Sequence, residues 1–142
     1  MPEKKTLARA RKDLRAGKSP TTAAGEFVRE EIDHIRAGKH GARSTKQAIA
    51  IGLSKARRAG VPLRPPTKGK TTAATRRSAK RDYEVGQHRR KPKAPSATRS
   101  RATLKALQHE PKAAASHTAL ARHARAAAPR QKPPRKRRTA SH

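Results

Sequence analysis

Cysteine and tryptophan are absent from this 142-residue sequence, and phenylalanine and tyrosine occur once each. Without thiols there are no disulfides and no thiolate metal sites. With Phe27 and Tyr83 as the only aromatic side chains, little large apolar surface exists to offset the ordering entropy of the whole chain. Hydrophobic residues make up 32% of the composition, and most of them are alanine. The longest apolar run, Ala48 to Leu53, is far too short to cross a bilayer. The opening "MPEKKTLARARKD" has no apolar stretch of the kind a secretory signal needs. Acidic groups, aromatics and nucleophile–base pairs are too sparse for a catalytic site, so neither an enzyme nor a cofactor is expected. The expected setting is the cytoplasm, away from membranes.

What the sequence has in excess is positive charge. It carries 38 Lys and Arg against 9 Asp and Glu, a net +29. Such a surplus repels itself in a compact state and calls for a polyanion. Nucleic acid is the expected partner, because each neutralised phosphate releases condensed counterions. An acidic lipid surface would want an amphipathic helix with bulky apolar residues, which the basic half lacks.

Composition changes at "GVPLRPPTKGK", Gly60 to Lys70, where prolines cluster and before which large aliphatic residues concentrate. Residues 1–63 carry net +9 and residues 64–142 net +20. The expected architecture is mostly α: a small three-helix module over 1–63, then a long disordered tail rich in Lys, Arg, Ala and Pro. The first helix is predicted from Glu3 to Ala16. The second starts after Thr21 or Thr22 as cap and ends at Ala37, with Ala24, Phe27, Val28, Ile32 and Ile35 on one face. The third starts at Ser44, where Ser44 and Gln47 fit a capping box, and buries Ile49, Leu53 and Ala56. Arg-Ala-Gly recurs at Gly17, Gly38 and Gly60, 21 and 22 residues apart, each time where the apolar period ends. Glycine there reads as the residue just past a helix C-terminus, and arginine in the last turn complements the helix dipole. In the tail, two short helices are predicted, Ala97 to His109 and Pro111 to Ala128.

The third helix also carries a ridge of small residues, Ala48, Gly52, Ala56 and Ala59, along which another backbone can approach closely. Ile51 points away from it. Either the helix is buried on two sides or Ile51 meets another chain, through a protein partner or self-association.

Gly17-Lys18-Ser19 ends like a phosphate-binding loop, but Lys12 stands where such a loop needs its first glycine. The segment Gly38 to Arg43 is a better anion site, since it feeds a helix N-terminus flanked by Lys39, Arg43 and Lys46. Lys55, Arg57 and Arg58 complete the candidates in the module. In the tail the dense runs are Arg76-Arg77, Lys80-Arg81, Arg89-Arg90-Lys91 and Arg135-Lys136-Arg137-Arg138. They read as clamps on backbone phosphates, and with no aromatics between them they offer no stacking platform for single strands. Phosphate contacts should therefore dominate over base readout. Glu26, Glu30, Glu31 and Asp33 read as surface charges on the second helix, with Arg29–Asp33 and Asp33–Arg36 pairs relieving repulsion. The seven histidines read as solvated; His117 and His123 stand six apart, off the helical spacing of zinc ligands, and no metal is expected.

The stretch "GEFVREEIDHIRAGKHGARSTKQAIAIGLSKARRAGV", Gly25 to Val61, resembles a family of small basic bacterial proteins of uncharacterised function. That resemblance implies a bacterial source and a compact helical unit, and it assigns no catalytic residues. The tail is similar in composition to the Lys-, Ala- and Pro-rich tails of linker histones. The function expected is sequence-nonspecific binding of double-stranded DNA by a histone-like, nucleoid-associated protein. The alternatives are an RNA-binding or ribosome-associated protein, and a protein-interaction module in 38–60 with a tail that only localises it.

Overall fold

The computed structural model describes residues 2–94 and 96–127. Lys4–Arg15, Pro20–Arg36 and Thr45–Arg58 form helices α1, α2 and α3. Each ends as Arg-Ala-Gly predicts. Gly17, Gly38 and Gly60 have φ of +78°, +82° and +100°, beyond helical residues that stop at arginine. The N–H of each glycine and of its successor turn back to carbonyls of the last turn, as from Lys39 to His34 and Gly38 to Ile35. This double closure satisfies carbonyls that the helix end would leave unpaired.

The helix starts differ in detail from expectation. Ser19, not a threonine, caps α2: its side chain accepts from the Thr22 N–H, and Pro20 occupies the first helical position, where a missing N–H costs nothing. Ser44 caps α3 by accepting from the Gln47 N–H at 3.2 Å. The Gln47 side chain returns to the Arg43 N–H at 2.6 Å, one residue before the position a capping box predicts.

Helix α2 lies between α1 and α3 and buries the sole phenylalanine completely. Phe27 packs with Ala10 of α1, Ala23 and Ala24 of α2, and Ala56 of α3, with Leu7, Leu14, Leu53 and Leu63 around them. A second cluster holds Ile32 and Ile35 against Ala48. The buried stripe of α3 is its small-residue ridge, Ala48, Gly52 and Ala56, whereas Ile49 and Leu53 are only half-buried. At Gly52 the backbone of α3 comes close to that of α2. A Cβ there would stand 2.6 Å from the Val28 Cα.

Beyond residue 63 the described chain carries three further helices and a 3-10 turn, so the disorder expected of the tail is not confirmed over that stretch. Ala73–Gly86 form α4, Ala97–His109 form α5 and His117–Ala127 form α6, with a 3-10 turn at Lys112–Ala115. Helix α4, absent from the sequence expectation, is capped by Thr72, which accepts from the Thr75 N–H. It packs on α3, so α3 is covered from two sides, and Ile51 is half-buried. The contact face of α4 is Ala79, Asp82 and Gly86. Asp82 accepts from the Ser54 hydroxyl at 2.7 Å and from Arg58 Nε at 2.8 Å. Helix α5 occupies its predicted span and buries no residue. After it the chain returns to the second cluster. Ala114 and Ala115 are buried with Ile35 and Ala48, the Thr45 hydroxyl donates to the Ala114 carbonyl, and Arg36 donates to that of Ala115. The turn at 112–115 takes the start of the predicted 111–128 helix, and α6 begins only at His117. Among the described residues no helix is long and apolar enough to cross a membrane.

Candidate nucleic-acid interface

Charge in this fold is sorted by depth. Of the nine acidic side chains only Asp33 is exposed; Asp13, Glu30, Glu31 and Asp82 are buried and the others half-buried. Of the 32 lysines and arginines among the described residues, 29 are exposed, the exceptions being Lys55, Arg57 and Arg76.

The acids are inside because they join helices. Glu30, with 5% of its surface exposed, accepts from the Glu3 N–H at the start of α1 and from the Thr6 hydroxyl, tying α1 to α2. Glu31, fully buried, is paired with Lys55 of α3 and lies 3.2 Å from His40 Nε2. Asp82 holds α4 to α3 as described above. Glu30 and Glu31 are thus inter-helix ties and not the surface charges predicted for α2, and among the described residues neither Arg29–Asp33 nor Asp33–Arg36 closes. A buried carboxylate needs partners, and these are a backbone N–H and a hydroxyl at Glu30 and the Lys55 ammonium at Glu31.

These ties claim some of the basic residues singled out from the sequence. Lys55 belongs to Glu31, and exposed Arg58 reaches Asp82. Arg57 is buried, donating to the carbonyls of Leu63 and Arg64; desolvation pushes its pKa below the usual arginine value, with Asp82 opposing the shift. It therefore fastens the 60–64 segment to α3.

Lys39, Arg43 and Lys46 are exposed at the entry to α3. The Ser44 and Gln47 side chains already occupy N–H groups there, and the 112–115 turn covers one flank through Thr45. That turn also brings Lys112 beside Gly38, with its Nζ 3.1 Å from where a glycine Cβ would stand.

The strongest grouping is on α4. Arg77, Lys80 and Arg81, spaced to share the outer face of one helix, line a shallow depression with Arg90 and Glu84. Its volume is about 310 Å³. Arg90 is drawn back over the helix by the turn at Gln87-His88, where His88 has φ of +59° and the Arg89 N–H bonds to the Glu84 carbonyl. Arg90 Nε then sits 3.4 Å from Glu84. Arg89 and Lys91 are exposed beside it, whereas Arg76 is half-buried on the side of the helix. Burial of Ala79, Asp82 and Gly86 on α3 is what turns the arginine and lysine face outward.

Helix α5 adds Arg99, Arg101 and Lys105, all exposed, together with Leu104 at 49% exposure. Sequence reasoning passed over these three because they are scattered at helical spacing and form no run. Arg135, Lys136, Arg137 and Arg138 lie outside the described residues.

No curated protein and no solved structure matches the chain. Residues 10–68 match the model of a family of unknown function (DUF6496), a span that runs from the middle of α1 through α3 and contains the Gly25 to Val61 stretch.

Proposed function

We propose that this chain binds nucleic acid without sequence preference, double-stranded DNA above all, by neutralising backbone phosphates as a histone-like, nucleoid-associated bacterial protein. The observation that carries the reading is the sorting of charge: eight of the nine acids buried or half-buried, with Asp33 alone exposed, and 29 of 32 described basic side chains turned outward. An excess so displayed presents the electrostatic footprint of a phosphate binder. The module formed by α1 to α3 orients the protein, and the basic face of α4, helix α5 and the runs farther along supply contacts. Arg77, Lys80, Arg81 and Arg90 are the first contacts to test, followed by Lys39, Arg43 and Lys46. Lys55, Arg57 and Arg58 support the fold that presents them. No catalysis is assigned.

An interaction module in 38–60 has less to recommend it, since Gly52 on the ridge of α3 is met by Val28 of α2 within the same chain and Ala48 and Ala56 are buried, leaving only Ala59 exposed. RNA binding draws on the same charge. A competition between matched mixed-sequence DNA and RNA duplexes for nuclease-treated full-length protein tests the proposal. DNA preferred, with no dependence on base sequence, supports it. RNA preferred replaces it with the ribosome-associated alternative.

A further inference from the structure

At the corner between α2 and α3 a carboxylate and two imidazoles converge for which nucleic-acid binding has no use. Glu31 of α2 is fully buried; its Oε1 is engaged by Lys55, while its Oε2 has no hydrogen-bond partner among the described residues. That free oxygen faces His40, whose Nε2 is 3.2 Å away. The other nitrogen of His40, Nδ1, lies 2.9 Å from the Gly41 carbonyl, a contact that only an Nδ1–H can satisfy. Nε2 is then the ring nitrogen left beside the carboxylate oxygen, and no hydrogen bond closes between the two. Two acceptors at this distance repel unless a cation stands between them.

A second proton on His40 would serve, but it would need only these two residues. His34 makes a third: one of its ring nitrogens, Glu31 and the His40 nitrogen all lie within 4.8 Å of one another. The two rings meet edge to face, with centroids 6.4 Å apart. Neighbouring ligands of a tetrahedral zinc ion are separated by about 3.3 Å, given bonds of about 2.0–2.1 Å. The Glu31–His40 pair is already at that spacing, and the His34 nitrogen lies within 4.8 Å of both.

We propose that Glu31, His34 and His40 bind one divalent transition metal ion of the zinc type. Two imidazoles and a carboxylate suit that class, and the fourth position is left to water. Both histidines have orienting partners of the kind that ligating rings use. Gly41 holds His40, and Glu3 Oε1 lies 3.3 Å from His34 Nε2. The loop itself is held: the Gly41 N–H donates to the Leu107 carbonyl at 2.7 Å and the Ala42 N–H to that of Pro111 at 3.2 Å. The ion would fasten the end of α2 to the entry of α3, and so couple metal supply to the stability of the corner on which the 112–115 turn docks.

The test uses chelator-treated full-length protein titrated with Co²⁺ and then Zn²⁺. One equivalent of Co²⁺ should give the intense visible band of four-coordinate cobalt, and Zn²⁺ should bleach it. His40→Gln should lower affinity by at least ~10–100-fold and abolish the band. His117→Gln with His123→Gln should leave both unchanged. Circular dichroism of the metal-free proteins checks that each variant folds. Absence of the band in the wild-type chain, or its persistence in His40→Gln, overturns the assignment. A band lost in Glu3→Gln yet kept in His40→Gln would move the ion to Glu3, Glu30 and His34, the neighbouring set that shares His34.

Discussion

Two glycines inside helices, Gly25 and Gly52, give a matched test of how α2 and α3 pack. Alanine raises helix propensity by about 0.8–1.0 kcal/mol over glycine at either position. At Gly25 an added Cβ meets nothing within 4 Å, so the gain should appear as added stability. At Gly52 the same atom would stand 2.6 Å from the Val28 Cα and 2.9 Å from its nitrogen. Ordinary carbon contacts lie at about 3.5–4.0 Å, so the helices must separate by roughly 1 Å. Backbone cannot rotate aside as a side-chain end does, and overpacking of this kind costs about 1–3 kcal/mol. Gly52→Ala should then range from neutral to about 2 kcal/mol destabilised once the propensity gain is offset. The gap between the two variants is the packing cost itself, about 1–3 kcal/mol. Urea unfolding of the full-length variants, followed by the helical circular dichroism signal, reads it from the midpoints if the slopes agree. Equal midpoints for Gly25→Ala and Gly52→Ala would refute the close crossing of α2 and α3.

Phe27→Ala removes the only aromatic group of the core, and a loss of about 3–5 kcal/mol should leave the chain largely unfolded in the same assay. Asp82→Ala should cost about 1–3 kcal/mol by stripping Ser54 and Arg58 of their acceptor. In hydrogen exchange, α4 should lose protection while α1 and α2 keep theirs. The hydrogen bond from His34 holds the Glu3 carboxyl below its usual pKa against the desolvation that raises it, with Lys5 adding to the lowering. A lowered folded-state pKa stabilises above the unfolded carboxylate value, and the contribution is lost as pH falls through the folded value. Glu3→Gln should therefore flatten the loss of stability on the acid side, seen in unfolding midpoints taken across an acid series, and an unchanged profile would contradict the tie.

Helices α1 to α3 were legible in the sequence because their signals are local. The apolar face of α2 repeats at helical spacing, and three Arg-Ala-Gly endings mark where each helix stops. Helix α4 sent no such signal. It docks through Ala79, Asp82 and Gly86, two small residues and a charge, so no apolar stripe betrays the face. The same blindness covers the acids. Glu31 looks like a surface charge beside Arg29 and Asp33, and only the fold brings Lys55 and His40 to it. His34 and His40 stand six positions apart, which no continuous helix would place together. The reversal at Gly38 returns the chain and puts them edge to face. Basic residues could be read as an excess, but their division into structural and displayed groups depends on where Glu31 and Asp82 end up.

The central claim is that displayed basic side chains grip phosphates, and the slope of binding against salt tests it most directly. Log affinity for a mixed-sequence DNA duplex should fall linearly with log salt, by about 0.9 per phosphate contact. Replacing Arg77, Lys80 and Arg81 together by alanine should lower that slope by about 2.7 with the fold intact. A shallow slope in the wild-type chain, or one that the triple replacement leaves unchanged, would contradict the account.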